Sequence, residues 1–478
     1  MTAHFRLLIL RSMSQVSGMP ASPPPRRGTR GLVGAAVLVV LAIALVLAVI
    51  VFASDHGRRR STGAHPVVQL RAAPGDLSQV LAATPVSLHD YWSSELETVY
   101  GKPFHDLAGG FQPKTPKSPA WTCNAKSVTY DQIKGNAFYC GGPHDDYIAY
   151  DAAFLLPQLD KNFGSLTPAA VLAHEMGHAI QARAGVQAAS VVIELQADCF
   201  AGAWVAHAQA SPSDPVAIDK LALDSSIRAL PALRDQPGTP ATNPQAHGLA
   251  FDRVNAYQTG YEQGALKCSK FPQGEVVTTE LPFSTPAEAL TGGNMDLPSA
   301  IPFFIRHLDA FWSANLGRLS GKVAYRPPKQ AVAQSLPLPK CPRDPGFDDR
   351  AVVSYCTPTN TVAWGAAPIA ALYSAIGDMA PGAAMSQTWA RSAQSQAGVP
   401  TSGNSAELQR VCLTGAWVAA IASGDPSVKL SPGDVDEVLL EVLTPLSPNT
   451  VQEVQSTSFD RVDALRRGVL QGLLACTP

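Results

Sequence analysis

The chain has almost no surplus of charge of either sign. Its 36 Lys and Arg nearly cancel its 38 Asp and Glu, leaving a formal net charge of -2 over 478 residues. That balance argues against nucleic acid as a main partner, because phosphate binding needs a basic face. Histidine is scarce, at 11 residues. A chance match to two histidines four apart with a glutamate after the first is therefore roughly a one-in-a-hundred event. Cysteine is missing until position 123 and then occurs eight times. Residues 31–53 contain no charge at all.

What is present divides the chain. The length suits two or three domains, and 40 prolines with 37 glycines predict many connections, some long. Residues 31–53 are rich in Val, Leu, Ala and Ile and are long enough to span a bilayer. The run exceeds a signal-peptide core, and no small-residue cleavage site leads into a polar mature start, so an uncleaved transmembrane helix is expected. Residues 1–30, with three consecutive prolines at 23–25, read as a disordered cytoplasmic tail. Arg26, Arg27 and Arg30 stand before the span and Arg58, Arg59 and Arg60 after it, so charge alone leaves the orientation open. The cysteines decide it. Cys123, Cys140, Cys199, Cys268, Cys341, Cys356, Cys412 and Cys476 all follow the span. An even set of this kind points to disulfides, which persist in oxidising compartments, so the bulk of the chain is expected outside the cytoplasm.

The chemistry concentrates between Leu166 and Ala210. The stretch L-A-H-E-M-G-H-A-I contains H-E-x-x-H at His174, Glu175 and His178. On a helix, residues four apart share a face, so both imidazoles can reach one metal ion. Zinc takes neutral histidine nitrogens in a tetrahedral shell and, in catalytic sites, keeps one position for water. Glu175 is placed to take a proton from that water. Thr167 reads as the N-cap of this helix, Pro168 as its first residue and Gly185 as its C′ residue. Ser190 reads as the N-cap of a second helix, on which Glu194 and Asp198 lie one turn apart. Glu194 is the expected third metal ligand. Asp198 is expected to fix the tautomer of a ligand histidine. Apolar flanks make a plain solvated acidic face the weaker reading, since an unpaired buried carboxylate is costly.

The chain also repeats itself. E-L-Q-A-D-C-F-A-G-A-W-V-A at 194–206 returns as E-L-Q-R-V-C-L-T-G-A-W-V-A at 407–419, and F-D-R-V-N-A-Y at 251–257 as F-D-R-V-D-A-L at 459–465. The cysteines fall four to each half. The simplest pairing is 123–140, 199–268, 341–356 and 412–476, although the sequence permits others. Two like domains follow, 85–270 and 300–478, with a juxtamembrane connector at 54–84 and a linker at 271–299. In the second copy Gln387, Thr388, Arg391 and Val411 stand where the first has His174, Glu175, His178 and Asp198. Glu407 persists there without a metal partner and reads as capping or solvated. Arg253 returns as Arg461 and reads as structural, whereas His247 meets Gln455 and is kept as a candidate transition-state donor.

These residues resemble the putative neutral zinc metallopeptidase family of bacteria. The features that carry the likeness are A-H-E-M-G-H-A-I-Q at 173–181, E-L-Q-A-D-C-F-A-G-A-W at 194–204, A-F-Y-C at 137–140 and H-G…F-D-R-V…C over 247–268. The resemblance implies a zincin-like site, with His174 and His178 as zinc ligands, Glu175 as the catalytic residue and Glu194 as third ligand. It implies a membrane-anchored extracytoplasmic peptidase acting on peptide or protein substrates. The expected fold is mainly α with small β elements, around 128–139 and 146–150, duplicated in tandem after the transmembrane helix. The second, site-less copy is expected to pair with the first or shape its cleft. A non-catalytic surface-binding or scaffold protein with a structural zinc is the alternative.

Overall fold

The computed structural model describes residues 76–477 apart from 241, 242, 244, 245, 280, 322, 345, 424–428 and 445–455. The expected tail, transmembrane span and most of the connector lie outside the described residues. Among the described residues no helix is long and apolar enough to cross a membrane. The chain divides into two compact units. One runs to Asp235 and resumes over Thr239–Thr278; the other comprises Gln236–Gly238 and the chain from Thr279 onward.

The first unit opens with α1 (Leu77–Tyr100). Asp76 caps it by accepting from the backbone amides of Ser78 and Gln79, so the helix begins inside the stretch expected to be connector. Strands β1 (Gly110–Lys114), β2 (Trp121–Cys123) and β3 (Lys126–Val128), the single turn α2 (Tyr130–Ile133), then β4 (Ala137–Gly141) and β5 (Asp146–Asp151) follow. The expected strand region near 128–139 is thus broken by α2, which carries a Thr129–Gln132 capping box. One sheet has the order β1-β5-β4, with β1 parallel and β4 antiparallel to β5. β2 and β3 form a hairpin whose two turn residues, Asn124 and Ala125, both have positive φ (51° and 61°). That is the twist a two-residue hairpin turn requires. The Cys123–Cys140 disulfide staples the hairpin to β4.

Helices α3 (Leu155–Phe163), α4 (Leu166–Ala184), α5 (Ser190–Ala210), α6 (Lys220–Ile227) and α7 (Ala250–Cys268) complete the unit. α4 starts two residues earlier than the sequence suggests. Thr167 lies inside it and donates its hydroxyl to the Phe163 carbonyl instead of capping. Pro168 still falls in the first turn, where a missing N–H costs nothing. Gly185, at φ 74°, closes the helix as expected. Ala189 holds the N-cap position of α5, and Ser190 turns its hydroxyl to the Ala246 carbonyl.

The core is built where α5 crosses α7. A Cβ on Gly202 would strike the Tyr257 carbonyl oxygen, and one on Gly260 the Cys199 carbonyl oxygen, so the two backbones touch. The Cys199–Cys268 disulfide fastens the same pair. Trp204 is fully buried and donates to the Ser87 hydroxyl at 2.8 Å. Trp92 meets Phe200 edge to face at 5.1 Å, a pairing worth about 1 kcal/mol beyond its burial.

The second unit contains α8 (Pro286–Thr291), α9 (Leu297–Asn315), α10 (Gly317–Ser320), β6 (Lys329–Ala333), β7 (Val353–Cys356), β8 (Thr361–Gly365), α11 (Ala366–Ala375), α12 (Met379–Ala397), α13 (Asn404–Ser423), α14 (Asp434–Val442) and α15 (Ser458–Gln471). Part of the expected linker is therefore helical. Its sheet has the order β6-β8-β7, with β6 parallel and β7 antiparallel to β8. Disulfides join Cys341 to Cys356 and Cys412 to Cys476. Cβ atoms on Gly415 and Gly468 would strike the Leu465 and Cys412 carbonyl oxygens, so α13 and α15 also meet backbone to backbone. Both units are mainly helical with small sheets, as the composition of the segments predicts.

Candidate metal centre

The centre lies where α4 meets α5. Gly177, inside the H-E-x-x-H motif, is what lets them close: a Cβ there would stand 2.9 Å from the Ala197 Cα. Ala197 sits between Glu194 and Asp198 on the facing helix. The glycine therefore brings both carboxylates within reach of both imidazoles.

One nitrogen of His174, one of His178 and one carboxylate oxygen of Glu194 lie within 4.8 Å of one another. The two Nε2 atoms are 3.2 Å apart. Glu194 Oε2 stands 3.2 Å from His174 Nε2, and Oε1 3.5 Å from His178 Nε2. The protons on the rings follow from their other nitrogens. His174 Nδ1 faces Asp198 Oδ1 at 2.8 Å, so Nδ1 carries the hydrogen. His178 Nδ1 faces Gln181 Oε1 at 2.8 Å. The amide of Gln181 cannot be turned, because its Nε2 donates to the Ile193 carbonyl (2.6 Å) and to Gln196 Oε1 (3.1 Å). In the neutral rings that a metal would require, both Nε2 atoms therefore present lone pairs to one another and to the carboxylate. Glu194 Oε2 is buried with no hydrogen-bond partner.

Three lone-pair donors facing one point need a positive charge between them. The side chains of His174, His178 and Glu194 are 12%, 18% and 16% exposed. Burial disfavours charge on His174, but Asp198 and Glu194 more than offset it and push its pKa up to about 10. Burial acts against His178 in the same way, and Glu194 raises it. Burial would raise the pKa of Glu194, yet the two imidazoles hold it well below the ordinary range. The residues fit zinc. A tetrahedral shell with bonds of about 2.0–2.1 Å sets two nitrogens about 3.3 Å apart, and a two-imidazole, one-carboxylate set is a zinc donor set.

Asp198 is 2% exposed and is held in turn by Arg253, whose Nε and Nη2 donate to its two oxygens at 2.7 and 2.8 Å. Arg253 also donates to the Leu233 carbonyl. Burial would raise the Asp198 pKa, but Arg253 and His174 keep it low. Glu175 is buried beside the three; its Oε2 accepts the backbone N–H of Tyr139 on β4 at 2.9 Å. A cavity of about 880 Å³ opens on His178 and is lined also by Tyr139, Asp145, Asp146, Arg183 and Ile193.

His247 faces Asp235. Its backbone N–H donates to Asp235 Oδ2 at 2.6 Å and its Nδ1 lies 3.5 Å from Asp235 Oδ1. Gln181, Arg253 and the Tyr139 amide are the site residues that sequence reasoning missed. Gln181 carried a usable signal, one turn beyond His178, and Gln394 repeats it in the second unit by donating to the Ala406 carbonyl and to Gln409.

Residues 182–271 match the family model described as putative neutral zinc metallopeptidase. The match begins just past His178, so it covers Glu194, Asp198 and Arg253 but not the two histidines. An uncharacterized protein of Mycobacterium tuberculosis strain H37Rv, Rv2575, is 31% identical over 153 residues, 27% of this chain and 52% of the relative. The uncharacterized protein YpfJ of Escherichia coli K12 is 28% identical over 159 residues, 28% of this chain and 53% of the relative. The chain thus spans about half the length of these curated relatives. No solved structure gives a significant match.

The second unit gathers no such centre at the corresponding positions. Gln387 donates to Glu441 Oε2 at 2.9 Å. Arg391 contacts the Gly346 carbonyl, and Val411 is buried. Glu407 departs from the expected capping or solvated role: it is 8% exposed, accepts from the Ser456 hydroxyl at 2.6 Å and pairs with Arg461 at 3.3 Å.

Proposed function

We propose that the chain is a membrane-anchored, extracytoplasmic zinc-dependent endopeptidase whose working site lies in the first unit. The observation that carries this reading is the convergence of His174 Nε2, His178 Nε2 and the Glu194 carboxylate on one point, while each ring's Nδ1 is already held by Asp198 or Gln181. His174, His178 and Glu194 would hold the metal. Zinc bound there supplies Lewis-acid polarisation of a peptide carbonyl and acidification of water. Glu175 then acts as base and acid. With Oε2 held by the Tyr139 N–H, Oε1 is left to take a proton from the attacking water and pass it to the leaving amine. Asp198, fixed by Arg253, and Gln181 keep the rings turned with Nε2 inward. The cavity beside His178 would receive the peptide.

Residues 300–478 are read as a site-less repeat of 85–270. The support is the shared strand order, the matching disulfides and the glutamine pair Gln394–Gln409 answering Gln181–Gln196. Residues 31–53 are read as the anchor, and protease accessibility of the second unit on intact cells tests that orientation. A chain left untouched by external protease would overturn it.

The deciding experiment compares wild type and Glu175→Gln on a peptide library, with zinc measured in both. The wild type should cleave and lose cleavage to chelator; the variant should keep zinc and lose cleavage. Undiminished cleavage by the variant rejects the mechanism. A zinc-loaded wild type that cleaves nothing favours a scaffold, the reading suggested by a second unit built without the histidines.

A further inference from the structure

We propose that the second unit holds a hard divalent cation of the calcium class between the carboxylates of Asp378, Asp434 and Glu437. Asp378 immediately precedes α12, while Asp434 and Glu437 lie in the first turn of α14. Each offers an oxygen, and the three oxygens lie within 4.8 Å of one another. All three residues are buried, at 6%, 6% and 7% exposure. This inference is independent of the zinc reading and concerns residues that the motif alignment never touched.

Backbone N–H groups account for only half of these oxygens. Asp378 Oδ2 accepts from the Met295 N–H at 2.9 Å, Glu437 Oε2 from Met379 N–H at 2.8 Å and Asp434 Oδ2 from Ser431 N–H at 2.7 Å. The second oxygen of Asp378, Oδ1, is buried with no hydrogen-bond partner. The carboxyls of Asp378 and Glu437 face each other, and the other charged groups near the cluster are Asp434 and Glu288, both acidic. Gly377, at φ +141°, makes room for the Glu437 carboxylate, which a Cβ at that position would overlap. The amides hold the oxygens as acceptors, and the glycine seats one of them.

Three buried carboxylates without a cation are untenable as anions. Burial pushes Asp434 and Glu437 well above the ordinary range, and Asp378 up with them. An all-oxygen donor set selects hard ions over zinc. Calcium, with oxygen bonds of about 2.3–2.6 Å and a flexible shell, accommodates carboxylates held by a fixed backbone, whereas magnesium at about 2.0–2.1 Å demands near-ideal octahedral geometry. Calcium there would pin the start of α12 to the start of α14.

The test uses the full chain, in detergent, titrated with CaCl2 by calorimetry and by thermal unfolding. The wild type should bind one calcium per chain and unfold at higher temperature as calcium rises. Glu437→Gln and Asp434→Asn should each weaken binding roughly tenfold or more, while His178→Ala should leave it intact. Either variant suffices if the other fails to fold. Absence of calcium, magnesium or manganese binding by the folded wild type at millimolar concentration overturns the proposal in favour of shared protons. Binding undiminished in both variants overturns it as well.

Discussion

Single side chains decide whether the two imidazoles can serve as ligands. His174, His178 and Glu194 were legible because helical spacing puts i and i+4 on one face, whatever the rest of the chain does. The residues that hold the rings were less so. A glutamine can turn its amide either way, and only the Ile193 carbonyl and Gln196 show that Gln181 must offer oxygen to His178. Replacing Gln181 with alanine frees the ring, and the zinc dissociation constant should rise roughly 10–100-fold in a competitive chelation assay, with helix content unchanged. Glu441 makes a second test at this scale. It is fully buried, and burial pushes its pKa up to about 8 from 4.5, despite Arg461 and Gln387. A carboxyl whose folded pKa is raised stabilises the fold below its unfolded value and loses that contribution as pH climbs to the folded one. Glu441→Gln should therefore match wild type in thermal stability near pH 4 and exceed it increasingly up to about pH 8. The gain is on the order of a few kcal/mol at about 1.4 kcal/mol per unit; a pH-independent difference would contradict the burial argument.

Elements were easier to find than to bound. α4 and α5 appear over nearly the expected residues, since an uninterrupted apolar run ended by Gly185 leaves little choice. Their first residues shifted because Thr167 and Ser190 found partners in Phe163 and Ala246. Phe163 is only four residues back, a carbonyl that competes with capping, whereas Ala246 lies 56 residues on and cannot be read from a capping pattern. The short strands were only half legible, as the Thr129–Gln132 box turned part of the expected strand into α2. Packing between elements rests on glycines whose role no periodicity reveals. Gly260→Ala would drive a methyl into the Cys199 carbonyl of α5. Backbone cannot yield as a side chain can, so the first unit should lose at least 1–3 kcal/mol, in the range of overpacked cores. Gly264→Ala has open space around it, but φ 75° and ψ 177° lie in a region that essentially only glycine occupies, so it should cost backbone strain alone, about 1–3 kcal/mol. Thermal unfolding measures both.

For the molecule as a whole, the disulfides are the covalent ties between residues distant in sequence. Cys199–Cys268 closes 69 residues and Cys123–Cys140 closes 17. Loop-closure entropy ranks them at about 4 and about 3 kcal/mol. The double change Cys199→Ala, Cys268→Ala should therefore lower the melting temperature more than Cys123→Ala, Cys140→Ala. It should also weaken zinc binding, since α7 brings Arg253 to Asp198; equal losses from the two pairs would argue against chain entropy as the cause. The sequence alone determined the two helices that carry the ligands, the ligand spacing, the cysteine partition between halves and the absence of a second H-E-x-x-H. All of these follow from local periodicity or from residue identity. Only the tertiary structure decided what the buried polar groups do. It placed Arg253 on Asp198, moved Arg461 to Glu407 and drew Asp378, Asp434 and Glu437 together across 59 residues of chain. Such groups must find partners once water is gone, and those partners are fixed by which backbones touch, not by their order along the chain.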